Sequence, residues 1–385
     1  MSTLPAAEAD TSPARQQAAG SAGRPHHGHQ DGHQDAGAGN RPRPVGARTT
    51  DDRVALWGSL AGSLGLAWVA YDRLLPFSGR FGFVLCWYGL FLALYTLVSA
   101  MSHPRTEVVD RLVAAAVHAG AGAVFLAVLS TVIYTFIEGR HAIVHLNFFT
   151  HDMAGVAPTA PLNEGGIAHA IVGTLIEVGL AVLISLPLGV GTAVFITEVG
   201  GRFAQLVRTV VEAMTALPDI LAGLFIYTTL IVRLGVQNSG FAAATALSVM
   251  MLPIIARSSE VVLRVVPGGL REASLALGAS RWRTVWKVVL PTARPGLATA
   301  LILGIARGIG ETAPVLLTSG ASTFFNANPF HYPMNSLPLF IFSGFESGET
   351  QYAQRLWGAA SVLLGIVFVL FITARVLARS RTGRS

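Results

Sequence analysis

Apolar residues in this chain come in long blocks, and polar residues gather between them. From residue 54 onward the blocks fall at about 54–71, 80–101, 112–137, 167–197, 216–234, 240–257, 295–317 and 353–376. Each approaches the roughly 20 residues that an α-helix needs to cross hydrocarbon. Lipid offers the backbone no hydrogen-bond partner, so a spanning segment must satisfy its N–H and C=O groups within a helix. The pattern therefore predicts an all-α polytopic membrane helix bundle of about eight transmembrane helices. The fourth block is long enough to tilt or project. The first is among the shortest, with Gly58, Gly62 and Gly65 spaced as a packing face.

Residues 1–53 are a different material. They are rich in Ala, Gly, Pro, Gln and His and show no apolar periodicity, so they cannot bury enough surface to fold. The expectation is a disordered cytoplasmic tail without the apolar core of a secretory signal peptide. Its His26, His27, His29 and His33 read as low-complexity sequence or as a loose metal-binding tract. The remaining organisation follows as two N-terminal spans over 54–111, a main membrane domain over 112–378 and a short cytoplasmic tail at 379–385.

Composition agrees with a membrane chain. Of 385 residues 52% are hydrophobic and only 12% are charged, with a mean hydropathy of +0.55; soluble domains carry about a quarter charged residues. The charges that remain lie mostly between the apolar blocks. With both termini in the cytoplasm, the internal set of connections holds most of the arginines. Arg105, Arg111, Arg202, Arg208, Arg264, Arg271, Arg281 and Arg283 all fall there, whereas the opposite side has Arg73, Arg80, Arg140, Arg233 and Arg355. Such an imbalance is the positive-inside signature. The basic excess is thus a topology signal and no sign of nucleic acid as a partner. Cys86 is the single cysteine, so neither an intrachain disulfide nor a thiolate metal cluster is available.

A few charges break the rule that charge stays outside the apolar blocks, and one pair among them is the most informative. Arg307 and Glu311 lie within the apolar stretch 298–318, four residues apart and therefore on one face of a helix. An ionisable residue near the bilayer centre costs several kcal/mol on insertion scales. The pair either holds helices together or lines a wet path in which a permanent guanidinium meets an anion. Arg257 follows Pro253 by one turn at the inner end of the sixth block, with Glu260 three residues on. Arg257 reads as an interfacial snorkelling residue or an anion contact, and Glu260 first as a solvated loop carboxylate. Glu177 and His118 are further polar intruders, read first as satisfied residues of the bundle interior.

The connection between the sixth and seventh blocks has the most specific pattern. It runs Arg271-Glu272-Ala273-Ser274-Leu275-Ala276-Leu277-Gly278, then through Trp282, Trp286 and Lys287 to Val288-Val289-Leu290-Pro291. A helical stretch, a glycine that tolerates positive φ, and a second stretch ending near a proline make a surface helix-turn-helix. Glu272 is expected to begin the first helix, where it would cap amides or touch a partner. Residue types and spacing resemble the EAA loop of ABC-importer permeases, carried here by Glu272, Ala273, Gly278, Leu290 and Pro291, with Val288 at a position usually isoleucine.

More of the chain resembles the phosphate permeases of that superfamily, the PstA type. The carrying segments are Gly165 to Thr174, Ala216-Leu217-Pro218-Asp219, Leu252-Pro253-Ile254-Ile255-Ala256-Arg257 and the run Arg307-Gly308-Ile309-Gly310-Glu311-Thr312-Ala313-Pro314. The resemblance covers roughly 112–378. It implies a type I ABC-importer permease fold in the last six spans, in a bacterial cytoplasmic (inner) membrane. It also implies phosphate passage at Arg257 and Arg307, with Glu311 and Glu260 beside them. Implied partners are an ATP-binding cassette subunit on the 268–291 loop, a second, PstC-like permease and an extracytoplasmic phosphate-binding protein, with membrane lipid around them. The first two spans and the tail depart from the six-span pattern.

No G-x-x-x-x-G-K-[ST] phosphate loop occurs, and the sole lysine, Lys287, follows Trp286. The chain by itself is therefore expected to be no enzyme, with no catalytic residue, cofactor or metal of its own. ATP would be used by the partner ATPase. Two other readings stay open: a permease for another oxyanion such as sulfate, molybdate or phosphonate, and a stand-alone secondary transporter.

Overall fold

Hydrocarbon-length helices dominate the structure, a computed structural model that describes residues 50–74 and 79–378. Most of the expected N-terminal tail, its four histidines and the segment 379–385 lie outside the described residues. Among the described residues all regular structure is helical. In chain order the α-helices are α1 (Thr50–Val69), α2 (Arg80–Ser102), α3 (Arg105–Ile143), α4 (Asn147–Thr150) and α5 (Ala168–Val194). They continue with α6 (Gly201–Thr215), α7 (Asp219–Ile226), α8 (Gly240–Val265), α9 (Gly268–Ala276) and α10 (Arg281–Thr284). The last are α11 (Leu290–Gly308), α12 (Ala313–Thr318), α13 (Leu337–Gly344) and α14 (Thr350–Ala378). Short π-helical stretches extend α5 through Val199 and α7 through Arg233, and Val285–Val289 joins α10 to α11.

Six helical stretches among the described residues are long and apolar enough to cross a membrane, and a bent pair makes a seventh if counted as one span. The count of eight is thus approximate, and the differences have physical causes. The first block does form α1. Its first turns carry Asp51, Asp52 and Arg53, and Gly58, Ser59, Gly62, Ser63 and Gly65 dilute the rest, which keeps it below spanning hydropathy. The fifth block is no straight span: α6 and the α7 stretch meet at 104°, across a break that contains Pro218. The seventh block is interrupted. Its helix α11 starts early, at Leu290, and stops at Gly308; Gly310 and Pro314 follow, and α12 is a separate short helix. The buried helix α13, too short to register as a span, lies within what hydropathy reads as a long outer connection.

The described residues divide into two compact units, one before and one after the boundary between His118 and Ala119. In the first, α1 packs on α2, where Trp87 Nε1 donates to Leu60 O and Phe91 stacks on Tyr95. Arg111 Nη2 lies 2.6 Å from Asp52 Oδ1 and 3.3 Å from Glu107 Oε1. His118, expected in the interior, is exposed, and its Nδ1 lies 2.6 Å from Ala114 O on its own helix.

In the second unit α5 and α8 form the central pair, and small residues explain their close approach. Helix α8 contributes Ala243 and Ala244, and α5 contributes Ala181, to one buried cluster. Ile255 of α8 is held between two glycines. A Cβ on Gly189 of α5 would come within 2.9 Å of it, and one on Gly304 of α11 within 2.6 Å. Glu177 of α5 is buried as the sequence suggested and accepts a hydrogen bond of 2.5 Å from Ser319 Oγ. Two connections are fastened together beyond the helix ends: Phe325 N donates to Asp152 Oδ2 (2.8 Å) and Met153 N to Thr323 O (2.9 Å). Fully buried Arg355 holds the first of them by donating to the carbonyls of Ala160, Pro161 and Glu164.

Overpacking of this three-helix contact tests the arrangement. Gly304→Val is expected to destabilise the permease by about 1–3 kcal/mol, since added carbon in a filled core forces side chains off their rotamers. Ile255→Ala alone leaves a cavity and costs about 2–5 kcal/mol. The double variant, measured by thermal unfolding in detergent, should lose clearly less than the sum of the two, because each change relieves the other.

Candidate functional site

Two ionic clusters and one helix-turn-helix with its anchor in α11 contain the residues that the resemblance nominates as pathway and docking sites. The first cluster sits where helices break. Arg307 is in the last turn of α11. The helix ends at Gly308, and Glu311 falls in the break before α12, not on the shared helical face that its spacing suggested. The contact survives the break: Arg307 Nη1 pairs with Glu311, and Nη2 donates to Asp219. Asp219 opens α7, directly after the extended Pro218 at the 104° bend. The two broken segments touch closely enough that a Cβ on Gly223 of α7 would lie 2.5 Å from Pro314 Cα of α12. Both breaks therefore meet at one place, and the Arg307 guanidinium joins them.

Beside this junction lies a cavity of about 100 Å³, lined by Met214, Thr215, Asp219, Pro253, Ile254 and Arg307 among others. By that measure one water needs only about 10–15 Å³, so several waters or a small ion fit. Arg307 and Asp219 are 42% and 38% exposed, whereas Glu311 is only 11% exposed. The cavity is thus faced by a cation whose two nitrogen ends are already engaged by carboxylates.

The second cluster lies further along α8. Met250, Pro253 and Ile254 line the cavity, and Arg257 follows on the same stripe at helical spacing. Arg257 Nη1 pairs with Glu212 Oε1 of α6 at 3.0 Å and with Glu260 Oε2 at 3.4 Å. Glu260 is no solvated loop carboxylate. It is buried, with Arg208 at 2.8 Å and Arg264 at 2.7 Å from its Oε1. The expectation fails because α8 continues to Val265, two turns past the end of the apolar block, and carries Glu260 back against α6. Arg257 is therefore paired on both sides, not a lone snorkelling side chain.

The helix-turn-helix forms as its residues dictate. Helix α9 ends in a Schellman turn, in which Gly278 N donates to Leu275 O (2.9 Å) and Ala279 N to Ser274 O (3.2 Å). Gly278 has φ +84°, the left-handed region that favours glycine. Ser280 caps α10 by accepting from Arg283 N, and Ser274 and Thr284 hydroxyls lie 2.9 Å apart across the turn. Arg271 fastens the unit to the end of the α5 stretch through Glu198, and to the α8 end through the carbonyls of Leu263 and Val266. Helix α9 begins at Gly268, so Glu272 lies in its second turn and cannot cap its first amides, contrary to the sequence reading. Glu272 and Ala273 are exposed beside Leu275, Leu277, Trp282 and Trp286. Leu290 instead packs inward on Leu263, Val266 and Val289, and Pro291 sits in the first turn of α11. The exposed face is thus apolar with one carboxylate and the basic Arg281, Arg283 and Lys287 around it, and Leu290 and Pro291 anchor it in α11.

Sequence reasoning missed Asp219, Glu212, Arg208 and Arg264 as members of these clusters. Asp219 had one available signal, a carboxylate directly after a proline at the start of an apolar block. The cross-helix pairings had none.

A multi-pass helical bundle with an exposed helix-turn-helix and charges at broken helices defines a membrane permease component. Comparison with known proteins agrees. The family described as "Binding-protein-dependent transport system inner membrane component" matches residues 185–382. The phosphate transport system permease protein PstA 1 of Mycobacterium tuberculosis is 40% identical over 248 residues, 64% of this chain and 81% of that protein. PstA of Mycobacterium leprae is 41% identical over 231 residues, 60% of this chain and 75% of that protein. PstA of Haemophilus influenzae is 32% identical over 250 residues, 64% and 86% respectively. The chain belongs to the inner-membrane components of binding-protein-dependent transport systems and, within them, to the PstA permeases. It is a multi-pass inner-membrane protein. Among solved structures, a chain of the MetNI methionine ABC transporter aligns at 24% identity and a TM-score of 0.44, covering 56% of this chain and 93% of that one.

The Glu260 hub yields an ordering of variants. Glu260→Ala leaves three arginines crowded without their shared carboxylate and is expected to lower stability by about 1–2 kcal/mol, below the value for a fully buried pair because the arginines are part-exposed. Arg264→Ala, at the exposed edge, should change stability by less than about 0.5 kcal/mol. Thermal unfolding in detergent reads both; equal effects would show that Glu260 is not the hub.

Proposed function

We propose that the chain is the PstA-type permease subunit of an ATP-driven importer of inorganic phosphate. The matched stretches cover most of the phosphate transport permeases named above, and Arg307 stands beside a cavity at the junction of two interrupted helices. That junction is the observation that carries the reading, since a guanidinium binds phosphate oxygens through two parallel N–H bonds and never deprotonates. Arg257 and Arg307 give the anion temporary sites, with Glu311 and Glu260 as counter-charges that keep it from being held too tightly.

In this proposal the α9–α10 turn faces the cytoplasm, as do both termini, in keeping with the arginine distribution. A separate ATP-binding cassette subunit docks on its exposed face, and ATP is hydrolysed there, so this chain supplies no catalytic group. Closure of the ATPase pair moves the turn, and Arg271 passes that motion to the ends of α5 and α8, giving alternating access. A second, PstC-like permease completes the pore. A phosphate-binding protein delivers substrate on the opposite side, at the fastened connections around Asp152 and Phe325.

The direct test is ATP-dependent uptake of labelled phosphate in reconstituted vesicles, with sulfate in competition; sulfate blocking uptake as well as phosphate does would favour a general oxyanion permease. Arg307→Ala is expected to abolish uptake in a complex that still assembles, and Arg307→Lys to be impaired, since a point charge lacks the fork. Lost assembly instead of lost uptake would make the residue structural.

Gly278→Asp places a Cβ in the left-handed region, at a penalty of about 1 kcal/mol or more in the turn. The variant should insert normally yet release the ATPase subunit during purification, or hydrolyse ATP without moving phosphate. Full retention together with full uptake would remove the docking role from this turn.

A further inference from the structure

Asp219 presents a puzzle for an anion path. Its carboxylate lines the cavity beside Arg307, where negative charge should hinder an incoming oxyanion. Arg307 also pairs with Glu311, so the three ionised side chains together carry a net negative charge. A fully deprotonated anion entering there meets repulsion from Asp219 and competes with it for the guanidinium. An anion that keeps an O–H meets something different. Its hydroxyl donates to the carboxylate, and the contact becomes a charge-assisted hydrogen bond beside the arginine. Inorganic phosphate keeps at least one O–H in both ionic forms present near neutral pH, and so does arsenate. Sulfate keeps none.

We propose that Asp219 is a specificity-determining residue, selecting protonated tetrahedral oxyanions over fully deprotonated ones by accepting a hydrogen bond from the substrate while Arg307 binds its other oxygens. Asp219 fits the task better than Glu311, because it is the more exposed carboxylate and faces the cavity, whereas Glu311 is largely enclosed in the α11–α12 break. Its position as the first residue of α7 fixes the carboxylate at the bend. The inference rests on the importer reading and deepens it. Selection inside the permease adds to whatever a binding protein provides, and acts on an anion after its release.

The test uses the purified permease complex without binding protein, titrated with inorganic phosphate, arsenate or sulfate and followed by thermal unfolding. Arg307→Gln supplies the baseline for non-specific salt stabilisation, which sulfate and phosphate both produce. Above that baseline, the unsubstituted protein should respond to phosphate and arsenate at concentrations at least about tenfold lower than to sulfate. Asp219→Asn removes the repulsion and offers both a donor and an acceptor, so sulfate binding should strengthen by about tenfold and the preference vanish. Asp219→Glu keeps an acceptor and should keep the preference. A gain in sulfate binding is an outcome that misfolding cannot imitate. The proposal is overturned if phosphate gives no stabilisation above baseline, if sulfate matches phosphate in the unsubstituted protein, or if Asp219→Asn retains the preference. Phosphate uptake by vesicles of the unsubstituted complex with its binding protein is measured alongside. Its absence sinks the importer reading, whereas its presence with an unmoved preference sinks only the role of Asp219.

Discussion

A permanent charge within an apolar membrane segment needs polar company, and Arg307 finds it where its helix ends. One residue after the arginine α11 stops, and Glu311 lies in the break. A second interruption, the 104° bend before α7, brings Asp219 to the same point. Irregular backbone at membrane depth is tolerated only where protein buries it or water reaches it. The two breaks therefore serve each other. They supply carboxylates for the guanidinium, and the guanidinium ties the breaks together beside a cavity. Beside them α5 and α8 pack closely, with Ile255 of α8 against Gly189 of α5.

The second cluster extends the same logic along α8. Glu260 gathers Arg208, Arg257 and Arg264, and Arg257 reaches across to Glu212, so the amphipathic helix α6 is bound to the far end of α8 by charge. Arg271 adds a further link, from the helix-turn-helix to the ends of α5 and α8. Arg271 thereby ties the α9–α10 turn to two core helices through the hydrogen bonds of one side chain.

Much of this was legible in the sequence, for reasons that differ by residue. The apolar blocks marked the long helices because spanning length is a crude and strong signal. Gly278 marked the turn because a left-handed position selects glycine, and Arg307 and Glu311 stood out as charges among apolar neighbours. Glu260 was misread because hydropathy falls at 257 whereas the helix runs to Val265; an apolar block measures lipid contact, not helix length. Helix α12 was merged into the seventh apolar block, and α13, only eight residues long, was too short to register. Asp219 was missed as a partner of Arg307 since nothing local encodes a contact 88 residues away. The assignment to the PstA permeases added the class of transport system, and the geometry added which charges meet.

The central claim is that the Arg307 junction borders a water-filled path for the substrate anion. It is tested most directly by thiol accessibility in a Cys86→Ala background, within the assembled complex in vesicles. Ile254→Cys and Ala222→Cys line the cavity, and Leu183→Cys lies on the outward apolar surface of α5. A small anionic thiol reagent should label the two cavity positions much faster than Leu183→Cys, and inorganic phosphate should slow that labelling during ATP turnover. Labelling at Ile254→Cys and Ala222→Cys no faster than at Leu183→Cys would contradict the account, for it would leave the junction dry and Arg307 a structural ion pair.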